Sequence, residues 1–144
     1  MKGNLLKLQD LKKNNEWCDK SQVLLLACFQ ILVDFIEKEK PQRITDFKND
    51  KEQKQQWKEL QTLYHYWKRD RPRMEKELNR VTSKWINSRK TKWVSSPNER
   101  TAREIVLKED KKLRNLTFKL DDRFEALENE MLERLINVRH HLWC

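Results

Sequence analysis

Ten basic side chains crowd between positions 68 and 92: Lys68, Arg69, Arg71, Arg73, Lys76, Arg80, Lys84, Arg89, Lys90 and Lys92. Only Asp70, Glu75 and Glu77 oppose them, so this stretch holds an excess of seven out of the chain's formal +9. Cations at this density attract phosphate, in a nucleotide, in nucleic acid or on an anionic surface. Arg73, Lys76, Arg80 and Lys84 recur every three or four residues, which is one stripe of a helix. Arg69, Arg71 and Arg73 alternate at an expected helix junction, where they would converge on a small volume. Tyr66, Trp67, Trp85 and Trp93 lie close in sequence, and an aromatic face beside a guanidinium suits a stacked base with its phosphate. Trp67 and Trp85 fall on apolar stripes and are expected in the core. Phosphate contacts are therefore expected from Arg69, Arg71, Arg73, Arg80 and Lys84, and base stacking from Tyr66 or Trp93.

Little else in the chain offers chemistry. No nucleophile is paired with a base in a local motif. Asp121, Asp122, Glu125 and Glu128 form a carboxylate cluster, but Lys119 and Arg123 neutralise it, as on a solvated helix face. His140 and Cys144 are four apart, too few ligands for a metal centre. His65 stands between two tyrosines as a packing residue. The single glycine, Gly3, excludes P-loops, dinucleotide fingerprints and nucleophile elbows. A non-enzyme without cofactor or metal is expected.

The elements that must position these residues are helical. Charged residues make up 38% of the 144 residues, against roughly 25% in an average globular protein. The mean hydropathy is -1.04. This is the composition of long helices, and the scarcity of glycine and proline disfavours a β-rich fold. Cys18, Cys28 and Cys144 are odd in number and widely spaced, which points to a reducing compartment. The opening residues lack the apolar stretch of a signal peptide, and the longest apolar run, 23–29, is too short to span a bilayer, so no membrane partner is expected.

Pro41, Pro72 and Pro97 cut the chain into four parts. The first predicts a helix over 19–39, with Asp19 and Gln22 at capping-box spacing. Its residues are apolar on nearly all sides, the mark of a buried helix. Asp34 interrupts it. That carboxylate either meets an Arg, Lys or Trp N–H from another helix or lies on an exposed edge with Glu37 and Lys38. The second part predicts a helix over 50–70, with Trp57, Leu60, Leu63 or Tyr64, and Trp67 on one face. It should stop at Arg71-Pro72, where the residue before proline is pushed out of the helical region. The third predicts a helix over 72–89 with Met74, Leu78, Val81 and Trp85 inward. Residues 91–98 read as a loop, with Ser96 capping the next helix.

The fourth part carries Leu113, Leu116, Leu120, Phe124, Leu127, Met131, Leu135, Val138 and Leu142 at steps of three and four, close to a heptad. A continuous helix over 97–141 would reach roughly 68 Å, more than a globule with a radius of gyration near 15 Å can hold. Either it breaks around 108–112 or its seam is buried against another chain, and a homo-oligomer is the favoured outcome.

Three stretches together carry a likeness: Glu16-Trp17-Cys18-Asp19, then Leu25-Leu26-Ala27-Cys28-Phe29-Gln30-Ile31-Leu32-Val33-Asp34-Phe35-Ile36-Glu37-Lys38-Glu39, then Leu63-Tyr64-His65-Tyr66-Trp67-Lys68-Arg69-Asp70-Arg71-Pro72-Arg73. They resemble a widespread family of small tailed-bacteriophage proteins with the patterns FQxLVDFVEKE and LYxWWKxxRPxR. The likeness covers about half the chain, and Tyr66 stands where that family has a first Trp. It implies a phage protein in the cytoplasm of a host bacterium and brings no biochemical activity with it.

The sequence thus leads to an all-α protein: a helical bundle core over 1–96 with a basic third helix, and a long coiled-coil-like assembly helix over 97–144. The leading functional expectation is a counter-defence protein that sequesters an anionic cyclic nucleotide signal in a homo-oligomer. A nucleic-acid-binding protein using the same surface is the alternative, and an adaptor gripping a host protein through the C-terminal helix is a third.

Overall fold

A computed structural model describes residues 6–8, 19–43, 49–95, 97 and 100–142. The fold is helical, as the composition requires, with one antiparallel pair of strands among the described residues. In chain order the elements are α1 (Lys20–Asp34), α2 (Lys51–His65), α3 (Arg71–Ser88), β1 (Lys90–Val94), β2 (Arg103–Lys108) and α4 (Lys111–Val138). They form two compact units, one made of Met1–Asp70 with Glu128–Cys144, the other of Arg71–Leu127.

In the first unit, α1 starts at Asp19, whose carboxylate accepts from the Ser21 N–H at 3.2 Å. α1 packs on α2, and Phe29, Leu32, Leu60 and Leu63 are shut off from solvent. The Phe29 ring stacks on Trp67 at 4.3 Å between centroids, and Tyr66 lies tilted 6.0 Å away. Between Leu63 and Tyr64, it is Leu63 that takes the inward position, with Tyr64 half-buried. α1 is not buried all round, however: Leu24 is 60% and Ile31 46% exposed. One helix against one partner helix covers only part of its circumference.

Asp34 takes the edge setting in part: it is half-buried, beside the exposed Glu37 and Lys38. Its partners come from its own helix, Lys38 at 2.8 Å and Gln30 at 2.9 Å. Burial raises its carboxyl, but these two donors outweigh that and hold it below the usual carboxylate range. A π-helical turn, Phe35–Glu39, ends the helix, and Lys40 then takes a left-handed conformation with φ 50°. Glycine is the usual residue there; with Pro41 next, Lys40 is pushed out of the right-handed helical region. In the same unit Arg134 of α4 grips Glu59 of α2 with both prongs, Nε to Oε1 at 2.6 Å and Nη2 to Oε2 at 2.7 Å.

The expected stop at Arg71-Pro72 does not occur. Helical residues continue from 51 to 88, with a π-helical turn at Tyr66–Asp70 between α2 and α3. Proline lacks an N–H and its ring presses on the carbonyl four residues back, here that of Lys68. The wider π turn contains Lys68, so the helix accommodates Pro72 by loosening one turn instead of ending.

A second correction concerns 91–141. Residues 91–94 belong to a strand, not a loop, and the continuous helix over 97–141 is absent. Instead β1 pairs with β2, and α4 begins only at Lys111, after the weak point of the heptad pattern. Asp110 caps it, accepting from the N–H groups of Lys112 and Leu113 at 3.0 and 3.1 Å. Ile105-Val106 is β-branched and favours strand over helix. Ser96, the expected cap, lies outside the described residues, as do Cys18 and Cys144.

The seam of α4 is largely covered within the chain. Leu135 is buried at 3%, Leu116 is exposed at 43%, and Leu113, Leu120, Phe124, Leu127, Met131, Val138 and Leu142 are half-buried. Leu135, expected at an oligomer interface, is thus a core residue of its own chain. Among the described residues no helix is long and apolar enough to cross a membrane.

Candidate functional site

Within the unit 71–127, α3 turns Val81, Met74, Leu78 and Trp85 inward to differing degrees and leaves Arg73, Lys76, Arg80 and Lys84 exposed. The four cations step by three, four and four, so they form one row about 16 Å long. Glu77 lies beside this row by helical spacing, while Glu75 is turned toward Arg71 at 3.9 Å.

The expected arginine cluster is not assembled. Arg71 is buried at 9%, with its guanidinium 5.4 Å from the centre of the Phe124 ring. Its charge stabilises the fold through the ring's negative face. Tyr66, expected to stack on a base, is a core residue at 3% exposure. Arg69 is exposed in the other unit, 3.7 Å from Asp70. Of the seven expected ligand residues, Arg73, Arg80, Lys84 and Trp93 are exposed together in one unit, and Trp93 is 66% open to solvent.

A feature not expected from the sequence follows α3 in the chain. The hairpin pairs Lys92 with Ile105, Trp93 with Glu104, and Val94 with Arg103; an irregularity then brings Lys90 opposite Lys108. Cross-strand partners share a face and neighbours along a strand alternate. One face therefore carries Lys90, Lys92, Arg103 and Lys108 with Val94 and Ile105. The other carries Trp93, Thr91, Val106 and Glu104, the one acid of the two strands. All but Val94 are exposed. The signal that could have revealed this was alternation, Lys90-x-Lys92 and Arg103-x-Ile105, at period two.

The hairpin grows from a tightly tied root. The Trp85 indole donates to Glu109 at 3.1 Å, and Arg114 pairs with the same carboxylate. The Asp110 N–H donates to the Ser88 hydroxyl at 3.1 Å, and that hydroxyl donates to the Trp85 carbonyl at 2.6 Å. The Arg89 guanidinium lies 5.4 Å from the centre of the Trp85 ring, and Phe118 meets that indole edge-on. The end of α3 and the start of α4 are thus joined by polar contacts at the point where the strands leave.

Two clefts are lined by described residues of the other unit. One of about 620 Å³ is lined by Glu52, Gln56, Glu59, Thr62 and Arg134 among others, and one of about 290 Å³ by Leu6, Ile31, Asp34 and Glu39. The larger sets its two carboxylates against Lys58 and Arg134, and the smaller is lined by two carboxylates and no cation. Asp121, Asp122 and Glu125 are exposed and Glu128 half-buried. His65 is exposed and meets only the edge of Tyr64 at 5.7 Å. Comparison with protein-family models, with curated proteins and with solved structures finds no match.

Proposed function

We propose that this chain is a non-enzymatic nucleic-acid-binding protein whose α3 row lies along a run of phosphates. The observation that carries this reading is the row itself: Arg73, Lys76, Arg80 and Lys84, all exposed, drawn out along one helix face. Phosphates of one DNA strand advance about 3.4 Å each along the axis, so a row of about 16 Å matches four or five of them. A cyclic nucleotide offers its charge at one point and is held by convergent groups in an enclosed site. Two of the residues expected to converge, Tyr66 and Arg71, are committed to packing, which supports a polymer over a small signal molecule. The phage setting rests on the likeness of residues 16–39 and 63–73 alone.

The test is fluorescence anisotropy with labelled duplex DNA, single-stranded DNA and a cyclic dinucleotide at two salt concentrations. Four phosphate contacts predict a loss of affinity on the order of 100-fold between 50 and 200 mM salt. Tight, salt-insensitive binding of the dinucleotide with none of DNA would reverse the conclusion in favour of signal sequestration.

A further inference from the structure

We propose that the β1–β2 hairpin is a groove-reading ribbon that enters the major groove of B-form DNA with its Lys90, Lys92, Arg103 and Lys108 face. This rests on the nucleic-acid reading above and narrows it to one polymer.

The hairpin is anchored but uncovered. Its root is held by the Trp85–Glu109–Arg114 and Ser88–Asp110 contacts. Beyond the root, the cationic face of this two-stranded sheet also exposes Ile105 at 37%. A two-stranded ribbon is marginal in water and gains from a surface laid against it. The charge pattern says which surface. Four cations share one face and Glu104 is on the other. Lys90 lies directly opposite Lys108. Like charges so placed repel, and that repulsion is relieved when an anion lies against both. A polyanion is the complementary partner.

Dimensions select the duplex form. Five or six residues per strand give a blade of about 17–20 Å, two strands wide at about 4.8 Å spacing. The B-form major groove, about 12 Å wide, admits such a ribbon. The A-form groove of duplex RNA is too narrow for side chains to read. Lys and Arg on the inserted face reach guanine N7 and O6, while the α3 row holds phosphates outside the groove.

Protection of guanine N7 from dimethyl sulfate reads the major groove directly, and it is measured on the full chain with a duplex of roughly two helical turns. The wild type is expected to protect N7 and to bind the DNA duplex at least tenfold more tightly than an RNA duplex of the same sequence. Lys92→Gln with Arg103→Gln should abolish N7 protection and weaken DNA binding tenfold or more, with the helical circular dichroism unchanged. Arg80→Gln with Lys84→Gln should weaken binding to every sequence alike, yet leave N7 protected once the DNA is saturated. Trp93→Ala, on the opposite face, should change affinity less than threefold.

Unaltered N7 protection and affinity in the Lys92/Arg103 variant would overturn the ribbon while the α3 reading survives. Loss of binding in Trp93→Ala alone would overturn it in favour of base stacking. A change in the sedimentation mass of the free protein on hairpin substitution, without a change in DNA binding, would assign the blade to a second copy. Failure of the wild type to bind any nucleic acid would overturn both readings.

Discussion

Arg71 and Arg73 are two residues apart on one helix, and a difference of two positions turns one inward and the other out. The buried Arg71 guanidinium lies over Phe124, whereas Arg73 is exposed. Replacing Arg71 by Met should therefore lower stability by about 1–2 kcal/mol, the scale of a desolvated cation–ring contact, and leave nucleic-acid affinity unchanged. Arg73→Gln should do the opposite. Thermal melting and anisotropy on both variants check this; a loss of affinity in Arg71→Met at full folding would return Arg71 to the binding surface. The Glu59–Arg134 fork gives a second residue-level expectation. Hydrogen bonds from Arg134 outweigh burial and hold the Glu59 carboxyl below its ordinary value. A depressed carboxylate contributes stability that is present above its unfolded pKa and lost as pH falls through the folded one. Wild type and Glu59→Gln should thus differ by on the order of 1 kcal/mol at neutral pH, solvent screening included, and converge below the ordinary carboxylate range. Melting curves recorded as the pH is lowered from neutrality measure this, and a constant gap at all pH values would contradict it.

At the scale of elements, the helix ends follow local rules and the long-range pairings do not. Asp19, Asp50 and Asp110 each cap a helix through a side-chain oxygen. Asp110→Ala should cost about 1 kcal/mol, and because Asp110 also joins the hairpin root through Ser88, the loss should exceed that of Asp19→Ala. Equal losses in chemical denaturation would mean that the root contributes nothing. The caps were only partly legible: acidic residues ahead of apolar periods announce them, as at Asp19, but Asp110 was hidden inside an expected helix. Pro72 was misleading because the proline rule forbids a regular α-helix and says nothing of a π turn. The hairpin left only a short period-two alternation in each strand, because its strands recognise each other across an intervening turn and the Ile105-Val106-Leu107 run fits a short buried helix as well as a strand.

For the whole molecule the distribution of charge decides most. Residues 71–127 hold 16 basic and nine acidic side chains, while the rest of the chain holds 16 and 14. The first unit is therefore built for packing and nearly balanced, and the second carries the excess. With the α3 row on phosphates and the hairpin face on base edges, four phosphate contacts predict a slope of log affinity against log salt near -3.6. Each neutralised contact, as in Arg80→Gln, should reduce the slope by about 1. Titrations over a range of sodium chloride concentrations measure it directly. A slope shallower than about -2 would leave too few phosphates engaged for the α3 row.

The helical class, the apolar stripes of α2 and α3 and the basic surplus around Arg73–Lys84 were determined by the sequence alone, because periodicity, composition and charge are properties of neighbours in the chain. The tertiary structure decided which members of that surplus meet solvent. It drew Tyr66 into the core against Phe29, placed Arg71 over Phe124, buried Leu135 within its own chain and brought Lys90 opposite Lys108. Each of these depends on a partner distant in sequence. Burial and cross-strand pairing are set by what the chain packs against, and no local spacing encodes that.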